Sequence, residues 1–130
     1  MTFYSEQVKR MNSELYSKEY LTQQIIRAKQ HIDKSFSDDL SLDELAAKAF
    51  LSKFHFIRLF KSLYGRTPHQ YLVSVRIENA KRLLQTQRPI SDICISVGFN
   101  SCTSFTALFK KITGYTPSAF KQKSNFQEPF

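Results

Sequence analysis

Eight residues of this 130-residue chain recur at a constant offset of 49. Ser52, Phe56, Leu59, Phe60, Lys61, Gly65, Thr67 and Pro68 return as Ser101, Phe105, Leu108, Phe109, Lys110, Gly114, Thr116 and Pro117. Upstream the offset is 48, with Leu45 matching Ile93 and Leu51 matching Phe99, so the second copy carries one extra residue in its turn. Two copies of so long a unit do not make a solenoid, which stacks many shorter ones. Each copy is instead one supersecondary unit, and its punctuation says which kind.

In both copies a Ser precedes an apolar run of helical period, where its hydroxyl can cap free N–H groups. A Gly closes that helix as a left-handed residue. Thr-Pro opens the next one, with Pro at the first helical position. A short helix precedes each capping Ser. A short helix, a tight turn and a longer helix form a helix-turn-helix, whose second helix enters the DNA major groove. A generic helical hairpin would share some of these caps, but not two matched sets in one basic chain.

The remaining elements follow from the same signals. Leu21, Ile25, Ala28 and Ile32 predict a helix over 20–36, stopped by Ser37-Asp38-Asp39. Ser41 and Glu44 form a capping box for a short helix with Leu42, Leu45, Ala46 and Ala49 inward. The recognition-type helix over 53–64 points Phe56, Leu59, Phe60 and Leu63 inward. A joining helix over 68–87 buries Tyr71, Leu72, Val75, Ala80, Leu83 and Leu84, and Arg88-Pro89 ends it. Ser91 is read as the cap of a short helix containing Ile93, Cys94, Ile95 and Val97, before the Gly98-Phe99-Asn100 turn. The second recognition-type helix, 102–113, points Phe105, Leu108, Phe109 and Ile112 inward. A last helix ends near Lys121.

The expected fold class is all-α: about seven helices in two homeodomain-like helix-turn-helix subdomains joined by a long central helix. The divisions are a weakly structured lead-in (1–19), a first unit (20–66), a linker helix (67–88), a second unit (89–122) and a flexible tail (123–130).

Charge is unevenly placed. Residues 1–50 carry seven basic and eight acidic side chains, a net of −1, whereas residues 51–130 carry twelve and three, a net of +9. A basic half of this size points to a polyanion, nucleic acid or an anionic membrane surface. No segment has the length and apolarity to span a bilayer, and no signal peptide is visible, so no membrane role and a cytoplasmic location are expected. Cys94 and Cys102 lie eight apart without a second ligand pair, so they are read as ordinary thiols, with no metal and no cofactor.

The joining helix has about 20 residues and a length of roughly 30 Å. Successive major grooves on one face of DNA lie roughly 34 Å apart. A rod of that length suits two recognition helices in adjacent grooves, so a monomer on DNA can read a site of about two turns, with some bending of the duplex.

The stretch from Ser41 to Lys121 resembles the DNA-binding domain of the AraC/XylS family of bacterial transcription regulators. The resemblance is carried by SLDELAAKAFLSKFHFIRLFKSLYGRTPHQYLVSVRIENAKRLL and PISDICISVGFNSCTSFTALFKKITGYTPSAF, above all by the GF turn, the F-x-x-x-FK helix and the G-x-TP closure. It covers about eighty contiguous residues. It implies two helix-turn-helix units, binding to double-stranded promoter DNA, and activation through contact with RNA polymerase. Three positions depart from the family's habit: Phe50 replaces a small turn residue, Cys94 an Ala, and Ala107 a polar or basic residue, leaving the second unit to read more by shape.

The candidate DNA-reading residues sit on the two recognition-type helices. Arg58 suits a bidentate bond to guanine. Phe54 and Ile57 suit thymine methyls, although Phe54 would serve equally as a core residue. Cys102, Thr103 and Thr106 form the corresponding set on the second helix. Ser52, Lys53, His55, Lys61, Ser101, Lys110 and Lys111 are the candidate phosphate contacts, with the two serines acting first as caps. Arg76, basic in the family too, is read as a structural partner, either for the Glu78 neighbourhood or for a helix terminus. Lys81, Arg82, Lys111, Lys121 and Lys123 add non-specific attraction.

The same residues bear on other functions. An enzyme is not expected: His31, His55 and His69 are scattered, Asp38 and Asp39 stand together in a loop, and no phosphate loop, nucleophile elbow or metal motif occurs. Only about 40 residues precede the repeat, too few for a sensor domain. The chain is therefore either a stand-alone regulator or the DNA-binding portion of a larger ligand-sensing one. A non-specific architectural DNA binder is the remaining alternative, separable by competition with random DNA.

Overall fold

The computed structural model describes residues 18–126 and places seven helices and no strands among them. They are α1 (Lys18–Ser35), α2 (Leu42–Lys48), α3 (Lys53–Tyr64), α4 (Pro68–Leu83), α5 (Ile90–Ser96), α6 (Cys102–Thr113) and α7 (Pro117–Phe126). The expected lead-in over 1–17 and the last four residues of the expected tail lie outside the described part. Residues 18 and 19 already belong to α1, and 123–126 continue α7.

The chain divides into two compact units. Among the described residues the first holds 18–32 together with Ser41–Pro68, and the second holds Asp33–Leu40 and 69–126. By its contacts the joining helix, α4, groups with the second unit from His69 onward. It is also shorter than expected, ending at Leu83 after 16 residues. The chain then turns, with Thr86 donating both its N–H (3.0 Å) and its hydroxyl (2.5 Å) to the Leu83 carbonyl.

In the first unit α2 and α3 form the helix-turn-helix. Ile25, Ala28 and Ile32 of α1, Leu45, Ala46 and Ala49 of the α2 region, and Phe56 and Phe60 of α3 are all buried. In the second unit one cluster joins Val73, Ile77, Ala80 and Leu84 to Ile93, Cys94, Val97, Phe99, Phe105 and Phe109. Its rings form a ladder: Phe99–Phe105 at 5.3 Å, Phe105–Phe109 at 5.6 Å and Phe109–Phe120 at 5.4 Å between centroids. Burying a large apolar side chain contributes about 1.5–3 kcal/mol, so these phenylalanines dominate the stability of a unit this small.

The two turns repeat bond for bond. Leu51 N–H donates to Ala46 O (2.9 Å) and Phe50 N–H to Ala47 O (3.0 Å). Phe99 N–H donates to Cys94 O (3.0 Å) and Gly98 N–H to Ile95 O (3.0 Å). Both are Schellman closures, which require one left-handed residue. Gly98 supplies it in the second unit with φ +103°, whereas the first uses Phe50 at φ +59°, where a side chain makes that geometry costly.

Several sequence expectations need correction. Helix α5 starts at Ile90 with Pro89, not Ser91, at its N-cap, and no side chain caps it. The extended Pro89 leaves its carbonyl to accept from both Asp92 and Ile93 N–H at 3.1 Å. The buried stripe of α4 runs through Val73 and Ile77, not Val75. Leu63 and Ile112 lie at the exposed edge of their helices, and Ile95 is 69% exposed. Cys94 and Cys102 are not separate thiols: they form a disulfide, with Cα atoms 5.7 Å apart.

Candidate nucleic-acid interface

Each recognition-type helix is positioned by the same three devices. Its N-terminus is capped, with Ser52 Oγ accepting from His55 N–H (3.2 Å) and Ser101 Oγ from Ser104 N–H (3.0 Å). Its C-terminus ends on a left-handed glycine, Gly65 or Gly114. One face is anchored by fully buried rings, Phe56 and Phe60 in α3, Phe105 and Phe109 in α6. With both ends and one face held, the opposite face has a defined direction.

That face is open to solvent. In α3 it presents Lys53, Phe54, His55, Arg58 and Lys61, with Ile57 half-buried. Phe54 is 79% exposed, which removes the core-packing reading of this residue. In α6 it presents Cys102, Thr103, Ala107, Lys110 and Lys111, with Thr106 half-buried, and the caps Ser52 and Ser101 are exposed at the two helix starts. The repeat aligns Phe54 with Thr103, Ile57 with Thr106, Arg58 with Ala107 and Lys61 with Lys110. The two helices therefore offer unlike chemistry at like positions: a guanidinium and a ring in α3, hydroxyls and methyls in α6.

The cations divide into two groups. Arg76 donates from Nε to Phe36 O (2.7 Å) and from a terminal nitrogen to Asp38 O (2.9 Å), and stacks on the Phe99 ring at 5.6 Å. It thus serves the chain just beyond α1, as the helix-terminus reading expects, and Glu78 pairs instead with Lys81 at 2.8 Å. Burial lowers the Arg76 pKa, and Asp39 opposes that effect; the guanidinium stays charged. Arg82 bonds Asn79 Oδ1 (2.6 Å), Arg88 bonds Ser96 Oγ (2.7 Å) and Lys121 bonds Arg88 O (3.0 Å). Lys123 donates to Tyr115 Oη at 2.8 Å, and this hydrogen bond holds the phenol below its ordinary pKa. Among the described residues Lys53, Arg58, Lys61, Lys110 and Lys111 have no such partner. Arg66, between α3 and α4, is likewise without one, and the rest of the unengaged charge of the basic half lies on α3 and α6.

Sequence reasoning missed Ser104, which is exposed one turn into α6 and lies 3.2 Å from Ser101 Oγ. A polar residue three positions after a capping Ser is the signal that could have found it. Among the described residues no group of His, Cys, Asp and Glu could hold a metal ion, and no helix is long and apolar enough to cross a membrane.

Two capped helix-turn-helix units with open basic recognition helices define a DNA-binding class of fold. A family model described as a helix-turn-helix domain matches residues 45–123. The bifunctional transcriptional activator/DNA repair enzyme AdaA of Bacillus subtilis (strain 168) is 41% identical over 102 residues, which are 78% of this chain and 48% of AdaA. Transcriptional regulator Rob of Salmonella typhimurium is 38% identical over 97 residues, 74% of this chain and 32% of Rob. The C-terminal domain of AraT, a response regulator from Geobacillus stearothermophilus, superposes with a TM-score of 0.73 at 32% identity, over 77% of this chain and 84% of that one. The DNA-binding domain of AdpA, a global transcriptional factor solved with a target DNA, gives 0.71 at 28% identity, over 84% and 96%. The chain belongs to the AraC/XylS-type helix-turn-helix family of DNA-binding transcription regulators. It spans about half or less of the length of the first curated relatives it matches.

Proposed function

We propose that this chain binds double-stranded promoter DNA in a sequence-specific manner, laying the exposed face of α3 and that of α6 into major grooves, and so regulates transcription. One observation carries the reading. The cations on the recognition helices lack protein partners, while those of α4 and α7, and Arg88 between α4 and α5, are engaged with protein groups. Charges kept unengaged on one face of a helix favour phosphate, and Arg58 among them favours guanine.

The first block of the site is read by Phe54, Ile57 and Arg58, and the second by Cys102, Thr103 and Thr106. Ser52, Lys53, His55, Lys61, Ser101, Lys110 and Lys111 hold the backbone. The role is activation through RNA polymerase, exercised in the cytoplasm by binding alone, without catalysis, and one copy suffices on one site. The test is competition. A labelled duplex selected from random DNA should stay bound against about a thousandfold excess of random duplex. Equal displacement by specific and random competitor would make the chain an architectural binder.

A further inference from the structure

The disulfide between Cys94 and Cys102 ties the start of α6 to α5. Its Cα separation of 5.7 Å lies within the span a disulfide bridges without moving the backbone. The turn itself does not depend on the link. At the corresponding positions the first unit has Ala46 and Lys53, and it forms the same closure, Leu51 N–H to Ala46 O, that Phe99 N–H forms to Cys94 O. The closure of the turn therefore gives no reason for two cysteines here.

Their environments are unlike. Cys94 is fully buried, and its sulfur lies 3.4 Å from Ser91 O, an acceptor for the thiol when the link is open. Cys102 is exposed at the first residue of α6, where the free N–H groups of the helix favour an anionic sulfur. A small oxidant in solvent can reach Cys102, and Cys94 is within reach of Cys102. That is the division of labour between an attacking and a resolving thiol.

We propose that Cys94 and Cys102 form a reversible oxidation site for peroxides, and that closing it holds the second recognition helix ready to read DNA. The proposal rests on the reading of α6 as a DNA-reading helix. The Cys102 thiolate attacks a peroxide oxygen, breaking the O–O bond; a proton gained by the departing oxygen yields water or an alcohol, and the sulfur becomes a sulfenic acid. The Cys94 thiol attacks that sulfur, forming the S–S bond and releasing water. Two thiols lose two electrons, and the peroxide gains them. Cellular thiols reverse the step by exchange. The closed link removes freedom from residues 95–101, so less ordering remains to be done when Ser101, Thr103 and Thr106 meet the duplex. The first unit lacks the cysteines and is indifferent to oxidant.

The test uses the full chain, first reduced and then treated with hydrogen peroxide. Expected are loss of both free thiols, a mass lower by two hydrogens, and about fivefold tighter binding to the selected duplex, with the added protection confined to the second block. Cys94→Ala, which gives the buried position the residue that the first unit has at Ala46 and leaves the DNA-reading face intact, should bind like the reduced wild type and gain nothing from peroxide. Two thiols surviving peroxide, a closed link with unchanged affinity, or an equal response in Cys94→Ala would each overturn the proposal. A specific site bound equally by both forms defeats only the oxidation site. Failure of both forms to prefer any site defeats the regulator reading and the proposal together.

Discussion

Arg76 stands where a side chain at Gly98 would have to go. A Cβ built on Gly98 would meet Arg76 Nε at 2.8 Å and Phe36 O at 2.9 Å. The second turn is therefore a packing point as well as a left-handed one. The Arg76 guanidinium fills the space beside the turn, covers the Phe99 ring and bonds the chain beyond α1. Gly98→Ala should then cost clearly more than Gly65→Ala or Gly114→Ala, whose Cβ positions are open. The latter two should lose about 1 kcal/mol for the left-handed backbone alone. Urea midpoints of the three variants measure the difference.

Arg76→Ala removes two charge-assisted hydrogen bonds to carbonyls and the stacking on Phe99. A loss of about 2–3 kcal/mol is expected. Arg76→Lys should recover only part, because one ammonium cannot reproduce the planar fork that reaches both Phe36 O and Asp38 O. Denaturation of the two variants ranks them, and equal stability for Arg76→Ala and wild type would refute the role.

Phe50 performs with a ring the turn that Gly98 performs without one. Its φ is +59° and it is 66% exposed, so little burial compensates the backbone. Phe50→Gly should stabilise the first unit by up to about 1 kcal/mol. A lower denaturation midpoint for this variant would mean that the ring contributes more than its exposure suggests.

The division of the cations makes a salt prediction. Lys53→Ala, Lys61→Ala and Lys110→Ala should each lower the slope of log affinity against log salt by about one, as expected when one phosphate is no longer neutralised by the protein. Lys81→Ala, which breaks a pair with Glu78, should leave the slope nearly unchanged. Titrations at several salt concentrations separate the two groups.

The repeat makes the helix-turn-helix units legible, because Ser52 and Ser101, Gly65 and Gly114, and the two Thr-Pro pairs act through local chemistry that spacing reveals. What depends on partners distant in sequence is not legible in this way. Residue type cannot tell an apolar side chain left in water, such as Phe54 or Ile95, from one in the core. Helix α5 has too few turns for its period to fix a phase, so residue type favours Ser91 over Pro89 as its cap. Spacing places the buried stripe of α4 on Val75, because the pairing of Val73 and Ile77 with α5 and α6 is tertiary. The Cys94–Cys102 link depends on the turn geometry. Of the site, the choice of helices and of exposed residues is readable; that Arg58 is unengaged while Arg82 and Arg88 are engaged is not.

The measurement that bears most directly on the account is selection of binding sites from random DNA by the wild type and by Arg58→Ala. The wild type should enrich two sequence blocks about one helical turn apart. Arg58→Ala should lose preference in one block, by about 1–3 kcal/mol at the contacted base pair, and keep the other intact. Enrichment of no sequence by the wild type, or equal weakening of both blocks by Arg58→Ala, would contradict two separately reading helices.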